Sequence, residues 1–386
     1  MPGLPIRLVA SCGIVLCTGV ALAAAAALAS QSWFDRHFLP VLFLPRAQFV
    51  LGERIARAVL AAVGLLIATL GCWATARSAR RHTAGEMAAG AGRIALALVL
   101  AVLASEAILR LAPFRSTEED PAAQEPLRFR DARLGWVFAP GRQVQVPVSG
   151  RSIGYAFDAS GYRVRDLGHP TDFARPTVAF AGESIMMGYG LSWAESVPAQ
   201  VEHRLGIQSV NMAVFAYADD QTLLRLSKEL PRFAQPRGVV VLFMPGLMFR
   251  NFNTDRPHLG PGLVELPARR PWRLAQLLSF YVPYHNEAEI DRTVDQVRAE
   301  LEADVRLARA RGAVPLIVVP AYGPEEPFDR MVRQRMLDAP HLPYIRIQLE
   351  DGWRLPRDIH PDARGAAAIA AAIAARLQAD GIKASN

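Results

Sequence analysis

Three long apolar stretches open the chain, and short apolar runs alternating with amphipathic stretches fill most of the rest. Leu8 to Ser30 and Ala58 to Ala76 carry no charge, and Ile94 to about Leu111 carries only Glu106 and Arg110. A bilayer core takes about 20 helical residues at 1.5 Å each. The first two stretches are therefore predicted spans. The third is a shorter one, in which Glu106 and Arg110 pair on one helix face close to the headgroups. Residues 1–115 are thus predicted to be a membrane anchor of about three transmembrane helices. The short segment between the second and third stretches holds Arg77, Arg80, Arg81 and Arg93, and Arg7 precedes the first. By the positive-inside rule both lie in the cytoplasm, and everything after about Pro113 lies outside it. Ala27-Leu28-Ala29 also has the small residues of a signal-peptidase site. Cleavage there would leave the later region on the same side.

From Pro176 the period changes. Thr177 to Gly182, Gln208 to Phe215, Gly238 to Met244, Ala313 to Val319 (stopped by Pro320) and Tyr344 to Ile347 read as strands. Most are continuously apolar, as in a sheet covered on both faces. Between and after them Trp193 to Leu205, Ala218 to Phe233, Glu287 to Arg311 and Asp362 to Gln378 read as helices. Strands alternating with helices predict an α/β fold with a parallel, doubly wound sheet and right-handed crossovers. Ser116 to Asp172, rich in Gly, Pro and Arg, reads as a β/loop extension. Phe252 to His285 is a long insertion into the alternation.

Composition changes this picture little. Half the residues are hydrophobic (51%) and the net charge is +7. In a membrane protein excess Arg is topological, and no basic run with interleaved aromatics suggests nucleic acid. The three cysteines, Cys12, Cys17 and Cys72, all lie in the first third, so the later region has neither a disulfide nor a thiolate metal site. No phosphate-binding or dinucleotide fingerprint occurs. The expectation is no cofactor and no metal.

Two motifs carry chemistry. Gly182-Glu183-Ser184 follows the first predicted strand, where an open α/β sheet places its site. Gly182 permits a tight turn, and a Ser there is exposed beside backbone N–H groups able to bind an oxyanion. Alone, an ordinary turn or cap serine fits as well. Asp358-Ile359-His360-Pro361 lies between the last strand and the last helix, at the same edge. A nucleophilic Ser needs a base, and the base an orienting group. His360 can take the proton from Ser184, and Asp358 can hold the imidazole tautomer. His203 reads as a solvated helix residue, Met186-Met187 as packing under the turn, and Asp255 and His258 as a weak rival acid and base. Tyr189 and Trp193, soon after Ser184, suggest stacking on a sugar.

These residues resemble the SGNH or GDSL-type hydrolases, over roughly Leu127 to the end. Gly182-Glu183-Ser184 resembles the family's first block, with Glu where Asp is commoner. Val210 to Gln221 resembles the second, Val239 to Asn251 the third, and Asp358-Ile359-His360-Pro361 the last. Asp131 to Trp136 and Asp158 to Arg163 are similar to the lead-in of membrane-anchored bacterial members. The resemblance implies a flavodoxin-like three-layer fold over residues 116–386, with metal-free ester hydrolysis or O-acyl transfer. Catalysis would use Ser184, His360 and Asp358, and the oxyanion hole Ser184, Ala213 and Gly246. Ala213 stands where the family has Gly. Gly246 stands where it has Asn, and loss of one oxyanion donor typically costs about 10²–10³ in turnover. The expected substrate is an O-acylated envelope glycan or similar ester, reached from the bacterial inner membrane with the C-terminal domain in the periplasm. The alternative is a catalytically degenerate domain that binds polysaccharide or partner proteins.

Overall fold

A computed structural model describes residues 6–38, 46–79, 84–111, 127–269, 272–282 and 284–382. They fall into two compact units, Met1–Phe114 with Trp272–His285, and Arg115–Pro271 with Asn286–Asn386.

The first unit begins with α1 (Ile6–Leu28) and the short α2 (Gln31–His37). Next comes α3 (Arg46–Leu66), which runs through a π turn (Ile67–Gly71) into α4 (Cys72–Ala79). Then follows α5 (Ala84–Leu111). Phe49–Ala74 and Gly92–Leu111 are long and apolar enough to cross a membrane, and Val15–Leu28 joins them if counted with α2, from which it is bent by 94°. The second span begins earlier than its uncharged run and includes Glu53, which accepts from Gln31 of α2. Without a hydrophobic force between helices in lipid, small residues allow close packing. Here a Cβ on Gly64 would stand 2.6 Å from the Gly19 carbonyl oxygen, so the backbones of α1 and α3 touch. Arg80 and Arg81, which carry the orientation argument, lie outside the described residues.

The second unit opens with a hairpin, β1 (Arg128–Asp131) and β2 (Gly135–Phe138), then β3 (Gln143–Val148), β4 (Arg151–Phe157) and β5 (Arg163–Val164). The α/β alternation follows: β6 (Pro176–Ala181), α6 (Ser184–Met187), α7 (Val197–Leu205), β7 (Gln208–Asn211), α8 (Asp219–Glu229) and β8 (Gln235–Leu242). A small hairpin, β9 (His258–Gly260) with β10 (Val264–Leu266), precedes α9 (Arg273–Tyr281) of the first unit. The rest is α10 (Glu287–Ala310), β11 (Val314–Tyr322), α11 (Pro327–Arg333), β12 (Tyr344–Leu349) and α12 (Ala363–Ala379).

One sheet has the order β12-β11-β8-β6-β7-β5-β4-β3. Its parallel part, taken by sequence, runs 2-1-3-4-5, the flavodoxin-like order, which reverses beside β6. The first strand is thus central, and its carboxyl end opens at the switch point. Three antiparallel strands, β5, β4 and β3, extend this sheet beyond β7, so part of the region from Ser116 to Asp172 joins it, while the β1-β2 hairpin is a separate sheet. β11 continues through Pro320. Val318 bonds toward β8, since Phe243 donates to its carbonyl, and Pro320, two residues on, faces the same way where β8 has ended. The missing N–H interrupts no ladder bond. Helix α7 starts later than predicted, because Ser196 is its N-cap and Pro198 falls in its first turn.

Helices α8 and α10 enclose an acidic cluster. Asp220 is paired bidentately with Arg256 at 2.8 Å, and Glu300 accepts from Asn251 and Gln296. Both side-chain oxygens of Asp304 are buried without a partner. Burial, then the neighbouring Asp220, pushes Asp219 up to about 7. Burial, then Asp219, raises Asp304 well above the carboxylate range. A raised acid keeps in the native state a proton that the unfolded chain releases. Its cost therefore grows as pH rises through the unfolded value and is complete above the folded one. Asp304→Leu is expected to stabilise the protein by about 1–3 kcal/mol at pH 8 and by less at pH 5. Denaturant melts at the two pH values check this.

Candidate active site

At the end of β6 the chain turns on Gly182, whose φ of 136° lies outside the range of most side chains. A Cβ there would come 2.7 Å from that of Leu242. The turn delivers Ser184 as first residue of α6, a single helical turn stopped by Gly188 in the left-handed region (φ 86°). Met186 and Met187 are fully buried beneath it, as the sequence reading expects.

Arg163 clamps this turn from below. Its guanidinium, 1% exposed, donates to the carbonyls of Met187 (2.7 Å), Gly188 (2.7 Å) and Leu191 (2.6 Å) and lies 4.7 Å from the Tyr155 ring centroid. Burial lowers its pKa to about 10, still charged at neutral pH. Asn211 adds amide donors to the carbonyls of Met186 and Met187. Arg163→Ala leaves three buried carbonyls without their charged donor. It is expected to cost about 3 kcal/mol of stability, read as a lowered Tm, and to reduce whatever activity Ser184 has.

The Asp358–Pro361 loop comes to the same edge. The Leu355 N–H donates to the His360 carbonyl (2.9 Å) and the Asp358 N–H to Leu355 (3.1 Å), with Arg357 at φ 58° completing a tight bend. The His360 Nε2 lies 2.8 Å from the Ser184 Oγ. Its Nδ1 lies 2.6 Å from the Asp358 Oδ1, which also accepts the His360 backbone N–H at 2.9 Å. The two-residue spacing works because one carboxylate oxygen holds both N–H groups. Burial opposes the Asp358 charge. The hydrogen bonds from the His360 ring and from backbone N–H groups outweigh it and hold the carboxyl below its usual value. The Tyr189 ring backs the imidazole, centroids 4.5 Å apart, and packs edge-on against Phe215 at 5.3 Å.

The donors expected for an oxyanion are engaged. The Ser184 N–H donates to the Glu183 Oε2 at 2.6 Å and the Ile185 N–H to Oε1 at 3.0 Å. The Ser184 hydroxyl also contacts Oε2. This hydroxyl has one proton, so Glu183 and His360 compete for it. Arg250 stands 3.6 Å from the same carboxylate. The Ala213 N–H donates to the Asn211 side chain at 3.2 Å. Gly246 lies in a 3-10 segment (Pro245–Phe252) and supplies no side chain. Asn251 faces Glu300 and so does not replace the absent asparagine. The Ser184 and Ala213 N–H groups, which the sequence analysis assigns to the oxyanion, are thus satisfied by carboxylate and amide oxygens of neighbouring residues. Glu183, Arg163, Asn211 and Tyr189 are the site residues it missed or underused. The first two had a signal, a Glu directly before the Ser and an Arg ending the lead-in.

Other candidates fall away. His203 is exposed on the last turn of α7, and His258 is buried in β9 with Nδ1 against the Arg256 carbonyl. Among the described residues no group of three or more His, Cys, Asp or Glu could hold a metal ion.

No protein-family model matches the sequence, and no curated protein matches it. Similar solved structures are GDSL/SGNH-type hydrolases and esterases. One is a lipolytic protein of the G-D-S-L family from Desulfitobacterium hafniense, at 13% identity and TM-score 0.34, covering 52% of this chain and 98% of that one. Another is Est24, a carbohydrate acetylesterase from Sinorhizobium meliloti, at 12% identity and TM-score 0.32, covering 53% and 99%. A third is a GDSL-like lipase from Bacteroides thetaiotaomicron, at 14% and 0.31, covering 53% and 88%.

Proposed function

We propose that this chain is a membrane-anchored serine esterase or O-acyltransferase. The single observation that carries the reading is the line Ser184 Oγ, His360 Nε2, His360 Nδ1 and Asp358 Oδ1, with steps of 2.8 and 2.6 Å across the ring. In this reading the Ser184 oxygen bonds the ester carbonyl carbon while its proton passes to Nε2. The Asp358 carboxylate stabilises the resulting imidazolium. Collapse breaks the ester bond, and the leaving alkoxide takes the proton from Nε2. Water or a sugar hydroxyl then repeats the cycle on the acyl-serine. The N–H groups of Ser184 and Ala213 serve the oxyanion once their internal acceptors yield, and Arg250 stands ready to receive the Glu183 carboxylate. The substrate proposed is an O-acylated glycan of the cell envelope. The C-terminal unit would face the periplasm from the inner membrane, on the side where α5 ends.

The engaged N–H groups favour a second reading, a degenerate domain that binds polysaccharide or a protein partner. Full-length protein in detergent decides between them. Hydrolysis of an activated acetyl ester that disappears in Ser184→Ala supports the enzyme. Equal rates in both proteins, with retention on an acylated glycan column, support the binder.

A further inference from the structure

Within the insertion that interrupts the α/β pattern, Trp272–His285 belongs with the membrane unit. Its helix α9 packs on α5, and the Leu274 N–H, a donor that the first helical turn leaves open, donates to the Glu106 Oε2 at 2.9 Å. The other Glu106 oxygen accepts from Arg110 at 2.6 Å. A carboxylate within an apolar helix is thus accounted for by two partners near the end of α5. Glu106 lies five residues before Leu111, roughly 8 Å along the axis. Beyond α9, the His285 N–H donates to the His37 carbonyl at 2.8 Å. The Tyr284 and His37 rings stack with centroids 5.7 Å apart, and Trp33 stacks on His37 at 4.7 Å. The segment therefore spans from the end of α5 to the helix that follows α1. If α1, α3 and α5 cross in turn, these two ends lie on the same side of the bilayer.

Helix α9 is apolar on two faces. Leu274 and Leu277 are half-buried in the unit. Trp272 (50% exposed), Leu278 (56%) and Val282 (56%) are open. With Ala275 they fall in an arc of about 120° at 100° per residue. On α5, against which α9 packs, Leu98 and Leu103 are likewise exposed. Tryptophan and tyrosine are the residues enriched at headgroup depth, and α2 is turned by 94° from the preceding helix, as for a helix lying along the surface.

We infer that α9 and α2 form an interfacial layer, with Trp272, Leu278 and Val282 immersed in the outer edge of the lipid on the side where α5 ends. This inference rests on the reading of α1, α3 and α5 as spans and is independent of the chemistry at Ser184.

The test uses full-length protein in nanodiscs of phosphatidylcholine and phosphatidylglycerol, with Cys12, Cys17 and Cys72 replaced by alanine. An environment-sensitive fluorophore is attached in turn to Leu278→Cys, Val282→Cys, Leu98→Cys and Val264→Cys. At Leu278 and Val282, emission is expected to be lost to a nitroxide on the lipid near the headgroup and kept with aqueous iodide. Leu98 should respond to a nitroxide deep in the acyl chains, and Val264, on β10, to iodide alone. Iodide quenching at Leu278 and Val282, or shielding there from both quenchers, overturns the inference. The first means open water and the second a protein cover. Iodide quenching at Leu98 overturns the span reading itself.

Discussion

His360→Ala is expected to lower kcat for ester hydrolysis by about 10⁴-fold or more while leaving the fold intact. The ring is 17% exposed and its packing partner is one tyrosine face, so little core is lost. The proton on the Ser184 hydroxyl then has the Glu183 carboxylate as its remaining acceptor. That acceptor also holds the Ser184 N–H, so even after taking the proton it occupies a donor that the oxyanion needs. The double variant Ser184→Ala with His360→Ala should be no slower than either single one, because the two residues act on one proton. Stopped assays with burst analysis on the three proteins check this. Additive losses would separate the residues.

The second large effect is at Asp358. Asp358→Asn keeps the side chain's shape but offers Nδ1 either an amide donor or a weaker acceptor. The imidazole then favours the tautomer with its proton on Nε2, which cannot accept from Ser184. A loss of about 10³–10⁴ in kcat is expected, with little change in KM. The stability change has a defined sign. Asp358 is held below its usual value, so it contributes stability above its unfolded pKa, about 3.9. That contribution is lost as pH falls through the lowered folded value. The difference in stability between wild type and Asp358→Asn should therefore be present at pH 7 and vanish in strong acid. A constant difference across that range would contradict the assignment.

Much of this was legible in sequence because it rests on local pattern. Three of the five parallel strands, β6, β8 and β11, contain apolar runs rich in β-branched or small residues. Right-handed crossovers alone do not fix the 2-1-3-4-5 order, which the sequence offered only through its resemblance to a flavodoxin-like family. The Ser184 turn and the His360 loop could be placed at one sheet edge because both follow strand ends. What stayed hidden is what depends on side chains reaching across elements. Arg163 ends a readable motif, but its three carbonyl acceptors carry no sequence signature. Glu183 reads as a conservative change from aspartate, yet one more methylene lets its carboxylate fold back over both N–H groups of the turn. The short, mixed-polarity strands β3 to β5 lack the apolar continuity of core strands and gave no sign of joining the same sheet. Helix α9 was concealed in an insertion, since it packs on α5 rather than on the adjoining strands.

In the proposed reading Ser184 is a nucleophile activated through His360, although Glu183 occupies its backbone donor. The most direct measurement is the mass of the Ser184 peptide after full-length protein is treated with a fluorophosphonate. A stoichiometric adduct on Ser184, formed by the wild type and not by His360→Ala, is the predicted result. An unmodified Ser184 in folded wild-type protein would contradict the claim and leave the domain as a binding module.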